Sequence, residues 1–192
     1  VPTMLKRLLD DGWRPPPHLE TVLLGGAAAS ESLLERCERR GVPVCPTYGL
    51  TETASQVATA RPDQAFEHPG TVGQPLVNTT VRVLADGDPV GPGETGELVV
   101  SGPTVTPGYL DDDRTDAAVD TAGFHTGDLG YRDEAGRLWI VGRLDDRIVS
   151  GGETVDPDVV AGAIRDHPGV DSVVVVGIPD EEWGERVSAL VV

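Results

Sequence analysis

Lysine is almost missing from this sequence. Lys6 is the only one among 15 basic residues, and 32 acidic side chains leave a formal charge of −17. Such a chain would be repelled by a phosphate backbone, which speaks against nucleic acid as a partner and equally against an anionic membrane surface. Cysteine is scarce too: Cys37 and Cys45 are too few and too close together for a disulfide framework or a metal centre, and read as buried thiols of a reducing cytoplasm. No apolar run approaches the roughly 18 residues of a membrane-spanning helix, and no basic, apolar, small-residue leader opens the chain. Aromatics make up only 4%, so the core must be built from modest aliphatic side chains, while 24 glycines and 16 prolines imply many turns. The acids form no long block; spread along the whole chain, they read as a halophile's solvated surface, on which salt screens the self-repulsion. The chain starts at Val1 and stops inside the apolar run Ala189 to Val192, so a piece of a longer protein is expected.

What is present concentrates first in PTYGLTETASQVAT, residues 46–59. After the β-branched Val42 and Val44, the run Tyr48-Gly49-Leu50-Thr51-Glu52 places free backbone N–H groups, a hydroxyl and a carboxylate at one strand-to-loop junction. Such a junction suits a phosphate and its metal. Gly49 lets a ligand approach the backbone, Thr51 and the N–H groups can hold phosphate oxygens, and Glu52 is a hard oxygen ligand for Mg²⁺. A solvated loop with a capping threonine would look the same at this length.

Along the chain, Leu5, Leu8 and Leu9 have helical spacing that ends before Gly12. Thr21 to Leu24 reads as a strand running into the small residues Gly25 to Ala29. Ser32 and Glu35 have capping-box spacing for a helix to about Arg40, with Leu33, Leu34 and Cys37 inward and Gly41 past its end. Val42 to Cys45 is the next strand. Strand, helix, strand predicts a parallel α/β sheet, whose ligands gather at the carboxyl ends of its strands. From about residue 71 the texture changes to short strands at Thr80–Leu84, Glu97–Ser101 and Leu138–Val141, a small antiparallel β unit, with a helix over Asp111–Val119. Residues 142–153, GRLDDRIVSGGE, look like a boundary around the apolar island Ile148-Val149. A second α/β pattern follows: a helix capped by Asp156 and ended by Pro168-Gly169, a buried strand Val173–Val176, and a last strand from Val187.

Four motifs now stand in order: GGAAAS at 25–30, YGLTE at 48–52, FHTGDL at 124–129 and GRLDDRIVSGGE at 142–153. Together they resemble the adenylate-forming superfamily of acyl-CoA synthetases, firefly luciferases and peptide-synthetase adenylation domains. ASQVATA after YGLTE, the spelling SGGE, and IPDEEWGERV at 178–187 look most like its o-succinylbenzoate-CoA ligase branch. The resemblance implies a fold of α/β (α+β) class. Residues 1–143 would be the end of the large AMP-binding domain, a parallel α/β sheet plus a small antiparallel unit. Residues 144–192 would be the hinge and the first part of a small C-terminal α+β domain.

It also implies a two-step reaction, in which a carboxylate attacks the α-phosphate of ATP to give an acyl-adenylate, and CoA then displaces AMP. In this reading Tyr48 stacks on adenine, with Gly25, Gly26 and Ala27 as the opposite wall and Gly49 beside them. Thr51 holds the α-phosphate and Glu52 the Mg²⁺. Asp128 accepts the ribose hydroxyls, Arg143 assists there, and Ile140 touches the adenine. Ser55 and Gln56 face the acyl group. Asp145 is the hinge. Gly151 and Gly152 line the pantetheine tunnel, and Trp183 packs on CoA. His125 receives no catalytic role. The implied partners are a small carboxylic acid, ATP and CoA; the oligomeric state stays open, a homodimer among the options. Loading of a carrier protein, or activation of another aryl or acyl acid, are the alternatives within the same chemistry. The phosphate loop and adenylation lysine of the family have no counterpart in these residues, and Lys6 precedes every motif, so the chain alone is expected to be inactive as a ligase. Thr154 stands where close relatives commonly have asparagine.

Overall fold

The computed structural model describes residues 1–165 and 167–192. The chain divides into two compact units, the first Val1–Thr126 with Gly130–Ile140, the second Gly127–Leu129 with Val141–Val192.

The first unit opens with α1 (Pro2–Asp10), started by a proline at its first turn, where the missing N–H costs nothing. Leu5 and Leu9 are buried, whereas Leu8, grouped with them by spacing, is half exposed. Strand β1 (Val22–Leu24) leads to α2 (Glu31–Arg39) and then to β2 (Val44–Tyr48). The predicted cap of α2 is corrected: Ser30, not Ser32, sits at the N-cap and accepts a hydrogen bond from the Leu33 amide at 3.3 Å. Ser30 alone has the extended backbone a cap requires (φ −67°, ψ 149°), while Ser32 already lies in the helix. Leu33, Leu34 and Cys37 are buried as expected, closing a cluster with Leu9, Leu24 and Val44. Each fully buried Leu or Val stabilises by roughly 2 kcal/mol. Burial pushes both the Cys37 and Cys45 thiols above their ordinary range, so neither is poised to react.

β1 and β2 pair in parallel, Val22 opposite Val44 and Leu24 opposite Pro46. Strand β2 begins at Val44, not Val42, runs three residues beyond Cys45 and carries Tyr48 itself. A 3₁₀ turn (Thr51–Thr53) follows, then β3 (Ala58–Thr59), α3 (Pro62–Glu67) and β4 (Thr71–Pro75). Next come β5 (Thr80–Ala85), β6 (Asp88–Pro89), β7 (Gly96–Ser101), α4 (Asp112–Ala118), β8 (Phe124–Arg132) and β9 (Leu138–Arg143). Asp111 caps α4, accepting from the amides of Asp113 and Arg114. The antiparallel strands are not a separate small sheet: β3, with only two residues, and the glycine-containing β4, neither read as a strand from the sequence, continue the parallel pair into one nine-stranded sheet of order β1-β2-β3-β4-β9-β8-β7-β5-β6.

In the second unit β10 (Ile148–Ser150) and β11 (Glu153–Val155) form a hairpin, followed by α5 (Pro157–Arg165), β12 (Val173–Asp180) and β13 (Gly184–Val191), with sheet order β11-β10-β13-β12. Ile148, Ala161, Val173 and Val175 make its core. The helix expected to continue up to Pro168-Gly169 is described as far as Arg165, and residue 166 lies outside the described residues. Two readings change. Val173 to Val176 alternates in burial, with Val174 59% exposed, because only one face of the sheet meets α5. The last strand begins at Gly184, not Val187, and lies inside the sheet between β12 and β10.

His125 turns out to be structural. Its Nδ1 lies 2.8 Å from Glu97 Oε2 and its Nε2 3.3 Å from Asp120 Oδ1. The Glu97 hydrogen bond is the main cause that raises its pKa above the ordinary 6.5, against the opposing effect of burial, with Asp120 adding to the rise. The folded imidazole therefore holds its proton more tightly than the unfolded chain. That stabilisation is fully present below the ordinary value and is lost as pH rises through the folded one. Between pH 6 and 8 the urea midpoint of the native protein should fall more than that of His125→Gln; equal slopes would remove the effect.

Candidate active site

A cleft of about 750 Å³ opens at the carboxyl ends of β1 and β2 in the first unit, lined by Leu23, Gly25, Gly26, Thr47, Gly49, Leu50, Thr51, Ser55 and Gln56. Sheet edges of this kind place ligands where backbone groups leave the strand ladder. Six residues singled out from the sequence meet here: Gly25, Gly26, Gly49, Thr51, Ser55 and Gln56. Ala27 lies exposed just beyond. Tyr48 is only 8% exposed and does not line the cleft; it belongs to an apolar cluster with Val57, Ala58 and Leu138, against which Ile140 and Leu50 also pack.

The loop after β2 is held by Thr53, which is 1% exposed. Its hydroxyl accepts from the Leu50 amide at 3.1 Å and lies 3.0 Å from the Leu50 carbonyl. The Val57 amide donates to the Tyr48 carbonyl at 2.8 Å, closing the loop. Between these ties Ala54 (φ 51°) and Ser55 (φ 102°) occupy the left-handed region, which costs about 1 kcal/mol or more for each residue with a Cβ. Strain concentrated in two cleft-side residues, and held by a buried hydroxyl, is a common mark of a site with a geometric task. Sequence reading missed Thr53, although its position in the middle of TETAS offered a signal.

Glu52 is half-buried, and its partner came as a surprise. The Tyr109 hydroxyl donates to Glu52 Oε1 at 2.8 Å, and the Thr106 amide donates to the Glu52 carbonyl at 2.7 Å. Tyr109 lies 57 residues away in a Gly-Pro-rich loop, and nothing in the sequence links the two. Burial chiefly, with Glu52 next, keeps the Tyr109 phenol above its ordinary value.

In the second unit Asp128 sits on β8, 7% exposed, and accepts from Arg143 Nη1 at 2.8 Å. Asp145 lies in the exposed turn between β9 and β10 and borders a cavity of about 400 Å³ with Arg147, Asp158, Arg165 and Glu185. Gly151 and Gly152 form the two-residue turn of the β10–β11 hairpin, both with positive φ (60° and 87°). The Gly151 amide donates to the Trp183 carbonyl at 2.8 Å, and a Cβ on Gly151 would stand 2.7 Å from the Trp183 ring. The structure therefore brings these residues together, with a half-exposed indole lying against a bare backbone.

The profile of the family described as AMP-binding enzyme matches residues 1–110, more than half of the chain. The chain belongs to the AMP-binding enzyme family. A second profile, AMP-binding enzyme C-terminal domain, matches residues 160–192. Among curated members of the family, a 2-succinylbenzoate–CoA ligase of Geobacillus kaustophilus is 43% identical over 188 residues, 96% of this chain and 38% of that protein. Among solved structures, o-succinylbenzoate CoA synthetase (MenE) from Bacillus subtilis in complex with the acyl-adenylate intermediate OSB-AMP superposes with a TM-score of 0.92 at 38% identity, covering 99% of this chain and 40% of that one. The same synthetase in complex with ATP and magnesium ion gives 0.90 at 37% identity, over 98% and 40%. This AMP-binding chain thus spans about two fifths of the length of the relatives it matches. None of its helices, among the described residues, is long and apolar enough to cross a membrane.

Proposed function

We propose that the protein is an ATP-dependent carboxylate–CoA ligase acting through an acyl-adenylate, with o-succinylbenzoate as the acid, a step of menaquinone biosynthesis. The observation that carries it is the match over nearly the whole chain to 2-succinylbenzoate–CoA ligases, on a structure whose cleft is lined by residues of the first two motifs, Gly25, Gly26, Gly49 and Thr51, with Ser55 and Gln56 beside them. In the first step an acid oxygen attacks the α-phosphorus as the bond to pyrophosphate breaks; in the second a thiol sulfur attacks the acyl carbon, loses its proton and expels AMP.

Gly25, Gly26 and Ala27 offer a flat wall to the nucleotide, with Tyr48, Gly49 and Ile140 on the adenine side. Thr51 donates to the α-phosphate. Ser55 and Gln56 are assigned to the acyl group. Glu52 fits Mg²⁺: Tyr109 takes Oε1, while Oε2 has no hydrogen-bond partner among the described residues. Among those residues there is also no group of three or more His, Cys, Asp or Glu to cage an ion. A single carboxylate plus substrate phosphates is how Mg²⁺ is commonly held. When bound, the ion neutralises charge on the departing pyrophosphate. Asp128 accepts the ribose hydroxyls, with Arg143 keeping its carboxylate oriented. Asp145 is assigned as the hinge between domains 1–143 and 144–192. Gly151 and Gly152 leave room for the thiol arm of CoA, against which Trp183 packs.

Pyrophosphate release tests this, measured on the full-length protein with ATP and Mg²⁺ over a panel of o-succinylbenzoate, benzoates and fatty acids, with and without CoA. Release dependent on o-succinylbenzoate, followed by its CoA thioester, is the expected result. Preference for another acid would remove the roles of Ser55 and Gln56. Transfer to a carrier protein in place of CoA would remove the assignment of Gly151, Gly152 and Trp183.

The acidic surface belongs to the same proposal, as that of a cytoplasmic halophile enzyme with small-molecule partners. Screening of its −17 charge should raise the unfolding temperature in molar KCl. A flat or falling response would remove the halophile reading.

A further inference from the structure

We propose that Tyr109 is a positioning residue for the metal carboxylate: its hydroxyl fixes Glu52 through Oε1 and reserves Oε2 for a divalent cation in the nucleotide complex. The inference rests on the reading of Glu52 given above and adds a residue that no sequence motif carries.

One loop grips Glu52 twice. Tyr109 donates to the side chain at 2.8 Å, and three residues earlier the Thr106 amide donates to the Glu52 carbonyl at 2.7 Å. The phenol is itself held firmly. The Tyr109 amide donates to Thr115 Oγ1 at 2.8 Å, the Arg114 guanidinium lies over the ring at 4.4 Å from its centroid, and Phe124 packs at 6.5 Å, tilted by 58°. A donor fixed on three sides can orient a carboxylate; a mobile one cannot. A glutamate held at one oxygen loses less side-chain freedom when the other meets a cation, and partners of this kind govern metal affinity over about 10- to 100-fold.

A purely structural role, in which Tyr109 only ties two loops, makes a different prediction. Tyr109→Phe keeps the ring, its packing on Phe124 and the Arg114 contact, and removes one oxygen. The experiment is a titration of the full-length protein and of Tyr109→Phe with Mn²⁺ at saturating ATP, read by electron paramagnetic resonance, with Glu52→Gln as reference. Unfolding temperatures are recorded beside it. The expected result is a site about tenfold weaker in Tyr109→Phe, the lower end of that range, with an unfolding temperature close to the native one. The Mg²⁺ concentration for half-maximal pyrophosphate release should rise by the same factor, while the rate at saturating Mg²⁺ is retained. An unchanged Mn²⁺ site in Tyr109→Phe would overturn the inference and leave the proposed function standing. If the native protein shows no ATP-dependent Mn²⁺ site, or Glu52→Gln leaves that site intact, the reading of Glu52 falls and the inference falls with it.

Discussion

Replacing Gly49 by alanine is expected to abolish measurable acid-dependent pyrophosphate release and to lower folding stability by about 3 kcal/mol, the upper part of the usual overpacking range. A Cβ at this position would lie 1.6 Å from the Ser55 carbonyl oxygen, 2.6 Å from its carbon and 2.8 Å from Gln56 Cα. All three are backbone atoms, so no rotamer change relieves the contact. The segment that would have to move is the one tied by the buried Thr53 hydroxyl and by the Val57 to Tyr48 hydrogen bond. It also carries the two left-handed residues Ala54 and Ser55. The substitution therefore has two outcomes, and both remove the cleft: the loop shifts and takes Ser55 and Gln56 with it, or β2 loses its last pair with β3. Urea unfolding of the native and variant chains, compared at equal slope, measures the stability term. A variant with native midpoint and native turnover would show that this loop can yield, and that its close approach has no function.

The second large effect is expected at Asp128. Asp128→Ala should lower kcat/KM for ATP roughly 100-fold, the sum of two charge-assisted hydrogen bonds to the ribose at about 1.5 kcal/mol each. The KM for the acid should hardly change. Loss of folding stability is expected to be small, because the partner left behind, Arg143, has a side chain 47% exposed and can return its charge to water. That asymmetry makes the kinetic result readable: the carboxylate is buried, its cation is not. Isothermal titration with AMP gives the binding term directly. An AMP affinity equal to that of the native protein would remove Asp128 from the ribose site and leave the Asp128–Arg143 pair as a structural tie.

Much of this was legible in the residues themselves. Helix α2 declared its inner face through Leu33, Leu34 and Cys37, because a period of 3.6 residues survives in sequence when a helix lies on a core. The glycine and hydroxyl residues of the cleft were legible too, since close approach of a ligand demands those residue types wherever the chain turns out of a strand. Strands that failed to appear include β3, whose two residues cannot display a period, and β4 and β8, whose glycines and polar residues interrupt the apolar pattern while backbone pairing holds them in the sheet. The alternation in β12 was hidden because its exposed positions, Val174 and Val176, are as apolar as its buried ones.

The sequence by itself determined the family, the order of the motifs, the helices α1, α2, α4 and α5 and the acidic surface, because each depends on the identities of neighbouring residues or on composition; the six-residue α3 was too short to stand out. The tertiary structure alone decided which groups act on one another across long loops. Tyr109 meets Glu52 and the Gly151 turn meets Trp183, and in the first unit the antiparallel strands continue the parallel pair as one sheet. Those contacts join positions far apart in the chain, and their energies arise only when folding has brought the partners within a hydrogen-bond length or van der Waals reach.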